Sequence, residues 1–189
     1  MYWENQQDVR NELIASSMPV KRFEEILKHI HLCDNQDINP NDKMAKLRPL
    51  ISSLNEKYLL YWPDTQNMDV DESMVPYYGR YPSKQYIKNK PIRYGYKIWC
   101  LNSPSGYLIQ FEPYQGAGSV TIQHALAMGG SVVMDLLKEL PAKPYHVFFD
   151  NLFSSLRLFG GLKAIGMSGT GTLRQNRVQK CPVSDVAVM

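Results

Sequence analysis

Residues 68–97 read MDVDESMVPYYGRYPSKQYIKNKPIRYGYK. A short strand that alternates apolar and acidic residues gives way to a glycine and proline turn region, then to a run of spaced cations. The strand covers residues 68–72 and brings Asp71 to its end. A partner for that carboxylate is found at Asp150, which closes the apolar run YHVFFD at residues 145–150. That run has almost no polar interruption, so it is expected to be a central strand covered on both faces. Two strand-end carboxylates beside a cationic, tyrosine-studded loop suggest metal-assisted work on a phosphodiester backbone.

Working outward, the segment VKRFEEILKHIHL places Phe23, Ile26, Leu27 and Ile30 at helical spacing, with Lys21, Glu24, Glu25 and Lys28 facing away. A turn cluster at 33–40 separates it from a second expected helix at about 47–61, whose Pro49 is tolerable in the first turn. The two are expected to form a helical pair. WPDTQN at 62–67 then reads as the boundary of a helical segment, residues 1–65, with an α/β domain, residues 66–189.

Within that domain further strands are expected at about 95–101 and 107–112, joined by the hairpin loop NSPSG. A helix is expected in the second half of 119–140, with Gly129 and Gly130 interrupting the first half, and another at about 154–165. The glycine-rich stretch 166–171 is expected to be the last strand. The order strand, strand, strand, helix, strand, helix, strand fits a mixed α/β sheet with a hairpin feeding a helical crossover. Ribonuclease H-like cores have this layout, and the pattern alone leaves other α/β folds open.

The chain has 189 residues, of which 44% are hydrophobic and 21% charged, a globular and not a disordered profile. Its net charge of +3 is too small to argue for nucleic acid by itself. The distribution says more, because Arg80, Lys84, Lys88, Lys90, Arg93 and Lys97 follow one another with no acid between them. Interleaved tyrosines could pack on sugars or unpaired bases, so this loop is the candidate DNA contact, through the backbone more than through base edges. The ordinary alternative is a solvated surface.

Cys33, Cys100 and Cys181 are too scattered for a disulfide framework or a zinc site. His29 and His31 are two apart on a helix and point away from each other, while His124 and His146 have no evident acid partner. No secretory leader or membrane-length apolar run is read, so an intracellular, soluble protein is expected. For the carboxylates the competing reading is structural, Asp71 capping a turn and Asp150 capping the helix that follows it. Asp69 shares the face of Asp71 by strand alternation but lies farther from the strand end, and Glu72 points to the opposite face.

The segments VDESMVPYYGR, KNKPIRYGYKIW and FFDNLFSS resemble the transposase core of the piggyBac family and its domesticated derivatives. The likeness extends through YWEN, RFEEILKHIHLCDN, DKMAKLRP and GTGTLRQNRVQKCP, and stops only at the final VSDVAVM. It implies a ribonuclease H-like catalytic domain preceded by helices that serve dimerisation and DNA binding. It also implies a nuclear location and metal-dependent cleavage and strand transfer on transposon ends or chromosomal DNA. Asp71 and Asp150 match the first two catalytic aspartates, and so are expected to ligate Mg²⁺ or Mn²⁺. The family's third aspartate and cysteine-rich domain are not matched here, and Asp185 is no substitute. The chain is therefore expected to be a truncated, inactive transposase domain, or else a domesticated DNA-binding or interaction module.

Overall fold

The computed structural model describes residues 2–6, 8–116 and 126–174. The elements follow in chain order as α1 (Glu12–Ser17), α2 (Val20–His29), a 3₁₀ turn (Ala45–Leu47), α3 (Arg48–Leu60), β1 (Asn67–Pro76), β2 (Gln85–Tyr86), β3 (Tyr94–Asn102), β4 (Leu108–Pro113), α4 (Met128–Leu137), β5 (His146–Phe149), α5 (Leu156–Ala164) and β6 (Ser168–Gly171). Six strands form one mixed sheet in the order β2-β3-β1-β5-β6, and β4 pairs with β3 beside β2. The mixed α/β architecture and the helical crossover are as expected. Among the described residues no helix is long and apolar enough to cross a membrane.

The alternation in β1 decides which face becomes the core. Met68, Val70 and Met74 are buried, while Asn67, Asp71 and Ser73 are exposed. On β5, Val147 and Phe149 are buried in step with them. The apolar faces of α4 (Val132, Val133, Leu136, Leu137) and α5 (Leu158, Leu162) join this same cluster, so both helices cover one side of the sheet. Each such fully buried aliphatic side chain contributes about 1.5–3 kcal/mol. The other side is less covered: Phe148 is 41% exposed, so β5 is central in strand order but not covered on both faces.

Gly129 and Gly130 lie in the first turn of α4, and most of the stretch expected before them, residues 119–125, lies outside the described residues. A Cβ on Gly129 would lie 2.6 Å from the Leu152 carbonyl oxygen and 2.8 Å from the Phe153 Cα, so glycine is needed where α4 meets the turn after β5. Gly171 plays the same part in β6, where a Cβ would meet Ser154 Oγ at 2.5 Å and the Phe149 ring at 2.6 Å.

The helical segment does not form the expected pair. No residue of α2 is buried, and Phe23, Ile26, Leu27 and Ile30 are all exposed. Trp3 packs on Phe23 at 5.2 Å between ring centroids and donates from Nε1 to the Met18 carbonyl. Helix α3 lies instead along the edge strand β4. The Asn55 amide satisfies both backbone groups of Phe111, donating to its carbonyl at 2.9 Å and accepting from its N–H at 3.0 Å. An edge strand offers unpaired backbone groups, and this side chain takes the place of a neighbouring strand. Farther along, Leu59 and Trp62 reach the core, where Trp62 meets Tyr145 at 5.7 Å.

A second clamp fixes the start of α3. Arg48 donates to Asp42 at 2.7 and 3.1 Å and to Glu112 of β4 at 2.8 and 3.0 Å. The Arg48 guanidinium holds the Asp42 carboxyl below its ordinary value, helped by the Met44 N–H and against partial burial. A depressed carboxyl pKa contributes stability that is complete above the unfolded value and lost as pH falls through the folded one. Arg48→Ala is expected to cost about 2 kcal/mol near neutral pH, a fall in Tm of about 4–8 °C. The difference should begin to shrink as pH falls below about 4 and vanish only below the lowered Asp42 value, where that carboxylate protonates in the folded protein. Thermal melts followed by circular dichroism across that range check this, and a pH-independent difference would mean that Asp42 is not the partner that matters.

Candidate metal and nucleic-acid site

Strand β5 runs parallel to β1 in the register Asn67↔His146, Met68↔Val147, Asp69↔Phe148 and Val70↔Phe149. The next residue on each strand is an aspartate, Asp71 on one and Asp150 on the other. Because Val70 and Phe149 are buried, the pleat turns both aspartates to the opposite face, where both are exposed. Asp71 is not at the end of its strand, since β1 continues to Pro76. It lies where β5 stops, which leaves β1 flanked only by β3 from that point on.

Asp69 belongs to the same face and accepts from Asn102 Nδ2 at 3.2 Å. Burial raises its pKa, the Asn102 bond works against that, and the Asp71 charge adds to the rise. Cys100 sits opposite Asp71 on β3. Burial pushes its thiol up to about 11, with further contributions from the charges of Asp71 and Asp69. The face is thus a patch of mutually repelling negative charge, an arrangement that favours either proton uptake or a bound cation.

Asp150 also has a structural task. Its Oδ1 accepts from the Leu152 N–H at 2.7 Å, and its carbonyl accepts from the N–H groups of Phe153 and Ser154. The carboxylate therefore caps a tight turn ahead of α5, whose own N-cap is Ser155. Beside that turn, Arg174 donates from Nε to Asn151 Oδ1 at 3.0 Å. The chain after β6 thus brings a cation to the carboxylate end of the sheet. In the sequence Arg174 stood out only as part of GTGTLRQNRVQKCP.

His146 accepts no role at this site. Its ring nitrogens meet Ser168 Oγ at 2.7 Å and Thr170 Oγ1 at 2.8 Å, at the far end of β5. His124, Cys181 and Asp185 lie outside the described residues. Among the described residues no group of three or more His, Cys, Asp or Glu side chains is arranged to hold a metal ion. Two carboxylates on one face suit Mg²⁺, which is commonly held by one or two carboxylates with phosphate oxygens and water filling the remaining positions.

The six cations separate into groups. Arg80, Lys88 and Arg93 are exposed. Lys84 is half-buried, with Nζ 3.3 Å from the Gly79 carbonyl and 5.3 Å from the Tyr94 ring centroid. It helps line an open cleft of about 410 Å³ with Arg80, Tyr81, Tyr86 and Tyr94. Lys97 turns inward to Glu72 Oε2 at 2.5 Å and lies 3.9 Å from the Trp99 ring centroid. Lys90 approaches Glu72 Oε1 at 3.6 Å. The acid absent from the cationic run in sequence is supplied by the neighbouring strand.

A family described as "Transposase IS4" matches residues 1–187. Human "PiggyBac transposable element-derived protein 3" is 42% identical over 192 aligned positions, covering all of this chain and 32% of its own length. Human "PiggyBac transposable element-derived protein 2" is 39% identical over 98% of this chain and 32% of its own length. This chain therefore spans about a third of the length of these relatives. The piggyBac transposase solved by cryo-electron microscopy as a synaptic complex with hairpin DNA superimposes with a TM-score of 0.80 at 26% identity, over 91% of this chain and 37% of that one.

The electrostatics of the carboxylate face can be read through Cys100. With a pKa near 11, only roughly one Cys100 thiol in a thousand is ionised at pH 8. Iodoacetamide, followed by peptide mapping, should modify Cys33 well before Cys100. Asp71→Asn removes one of the charges that disfavours the thiolate, so labelling of Cys100 should begin at lower pH. An unchanged pH profile for Cys100 would show that the Asp71 charge does not reach it.

Proposed function

Because the chain belongs to the transposase IS4 family, in its piggyBac-type branch, we propose that it supplies the first part of the catalytic sheet of a protein that cuts and joins DNA. The observation that carries this reading is the parallel register, in which Asp71 and Asp150 follow the last β1–β5 pair onto one exposed face. Transposases of the DDE type generally use divalent metal ions, and for this chain the proposed ligands are Asp71 and Asp150. When bound, such an ion supplies Lewis-acid activation and neutralises charge on the phosphate. The chain's own contribution is to hold the two carboxylates at neighbouring positions on hydrogen-bonded strands. The turn capped by Asp150 then brings Asn151 and Arg174 to the same end.

DNA is the proposed partner, met through phosphate contacts from Arg80, Lys88 and Arg93, with Lys84 and the tyrosine-lined cleft beside them. The remainder of the assignment follows the family: residues 1–65 contribute to dimerisation and DNA contact, residues 66–189 to the catalytic domain, and the protein works in the nucleus. A second reading is a DNA-binding or interaction module that retains the fold without catalysis. It is favoured by the bond from the Leu152 N–H to Asp150, which gives that carboxylate a task requiring no metal.

Two measurements bear on these readings. Manganese binding, followed by water proton relaxation, should reveal a weak site that disappears in Asp71→Asn/Asp150→Asn while the fold persists by circular dichroism. Equal relaxation in parent and variant would remove these residues from the metal site and leave the second reading. Duplex DNA binding, followed by fluorescence anisotropy, should weaken steeply with salt. Replacing Arg80, Lys88 and Arg93 together by alanine should reduce the slope of log K against log salt by up to about 2.7, at about 0.9 per lost phosphate contact. An unchanged slope would make the loop a solvated surface only.

A further inference from the structure

Glu72 and Asp71 are consecutive, so the pleat sends their side chains to opposite faces of β1. Asp71 is exposed with Asp150, whereas the Glu72 side chain is only 14% exposed and lies on the helix-covered face with Trp99 and Lys97. Two cations converge on this one carboxylate. Lys97 belongs to β3, is also 14% exposed, and is held between Glu72 and the Trp99 and Tyr114 rings, at 3.9 and 5.9 Å from their centroids. Lys90 comes from the loop between β2 and β3 and reaches the other Glu72 oxygen at 3.6 Å, with 36% of its side chain exposed.

A nearly buried carboxylate retains its charge only if cations compensate it. Lys97 does so as an ion pair with Oε2 at 2.5 Å, and Lys90 adds a second, looser contact at Oε1. That contact ties the basic loop to the strand carrying Asp71, but on the face away from Asp71. A phosphate lying across Asp71 and Asp150 meets the opposite side of the sheet. Lys88 and Arg93, on either side of Lys90 in the same loop, are exposed and meet no acid among the described residues.

We propose that Glu72 withholds Lys90 from DNA, so that it acts as an internal competitor of phosphate and sets how many loop cations the surface can use. This rests on the reading above that the 80–97 surface meets DNA. A run of six cations then behaves as a smaller set whose size depends on one carboxylate. Glu72 is a positioning residue in this account, acting through Lys90 and Lys97 and not on the scissile phosphate.

The test is a mutant cycle on the salt dependence of binding to a fluorescein-labelled duplex oligonucleotide. In the Glu72 parent, Lys88→Ala should reduce the slope of log K against log salt by about 0.9, and Lys90→Ala should leave it unchanged. Glu72→Gln should steepen the slope by about 0.9 through release of Lys90, and Glu72→Gln/Lys90→Ala should return it to the parent value. Melting curves confirm folding. If Glu72→Gln does not fold, the comparison of Lys90→Ala with Lys88→Ala in the parent still decides. Equal slope losses for those two variants would overturn the proposal, as would a Glu72→Gln slope matching the parent. Either result would leave the DNA reading intact, whereas a parent with no salt-dependent binding would overturn both.

Discussion

The parallel pairing of β1 with β5 is the constraint on which the rest depends. Parallel strands cannot be joined by a tight turn, so the chain must build β3, β4 and α4 before β5 can return beside β1. Once there, the register is held by side chains: Met68 and Val70 of β1, with Val147 and Phe149 of β5, face the apolar sides of α4 and α5. A slip of one residue would exchange the buried and exposed sets on both strands. The core therefore places Asp71 and Asp150 on one face.

That division of labour explains how a patch of like charge can persist. Burial, with the neighbouring Asp71 charge added, disfavours ionisation of Asp69, and burial together with the Asp71 and Asp69 charges does the same at Cys100. The cost is met on the opposite side of the sheet, where Trp99, Phe153 and the helix leucines are buried. Glycine at 129 and 171 permits the close approaches that bring α4, the Asp150 turn and β6 together. Stability and charge thus belong to different faces of the same strands.

Electrostatics of the opposite sign follow a similar rule. The basic loop looks unopposed in a linear reading, yet β1 supplies Glu72 and the Trp99 and Tyr114 rings supply a cover for Lys97. Helix α3 is secured along β4 by Asn55 and by the clamp of Arg48 on Asp42 and Glu112. Polar groups that resemble ordinary surface residues in sequence hold this edge of the sheet in place.

Much of the architecture was legible because the signals are periodic or local. The alternation at 68–72, the NSPSG hairpin, the stripe at 132–140 and the apolar run ending at Asp150 each correspond to an element of the structure. Helix α1 carried a readable signal in its Asn11 cap, which accepts from the Ile14 N–H, but six residues make a weak period. The two residues of β2 make none. Pattern and family resemblance together selected Asp71 and Asp150, and alternation alone sent Glu72 to the other face. What no linear reading contains is which residues from distant segments share a face or a charge. Burial of Lys97 against Trp99, the partial capture of Lys90, the exposed stripe of α2 and the uncovered side of β5 depend on how the sheet stacks its strands and which side the helices cover. Sequence periodicity determines that a strand has two faces, while tertiary packing alone decides what each face meets.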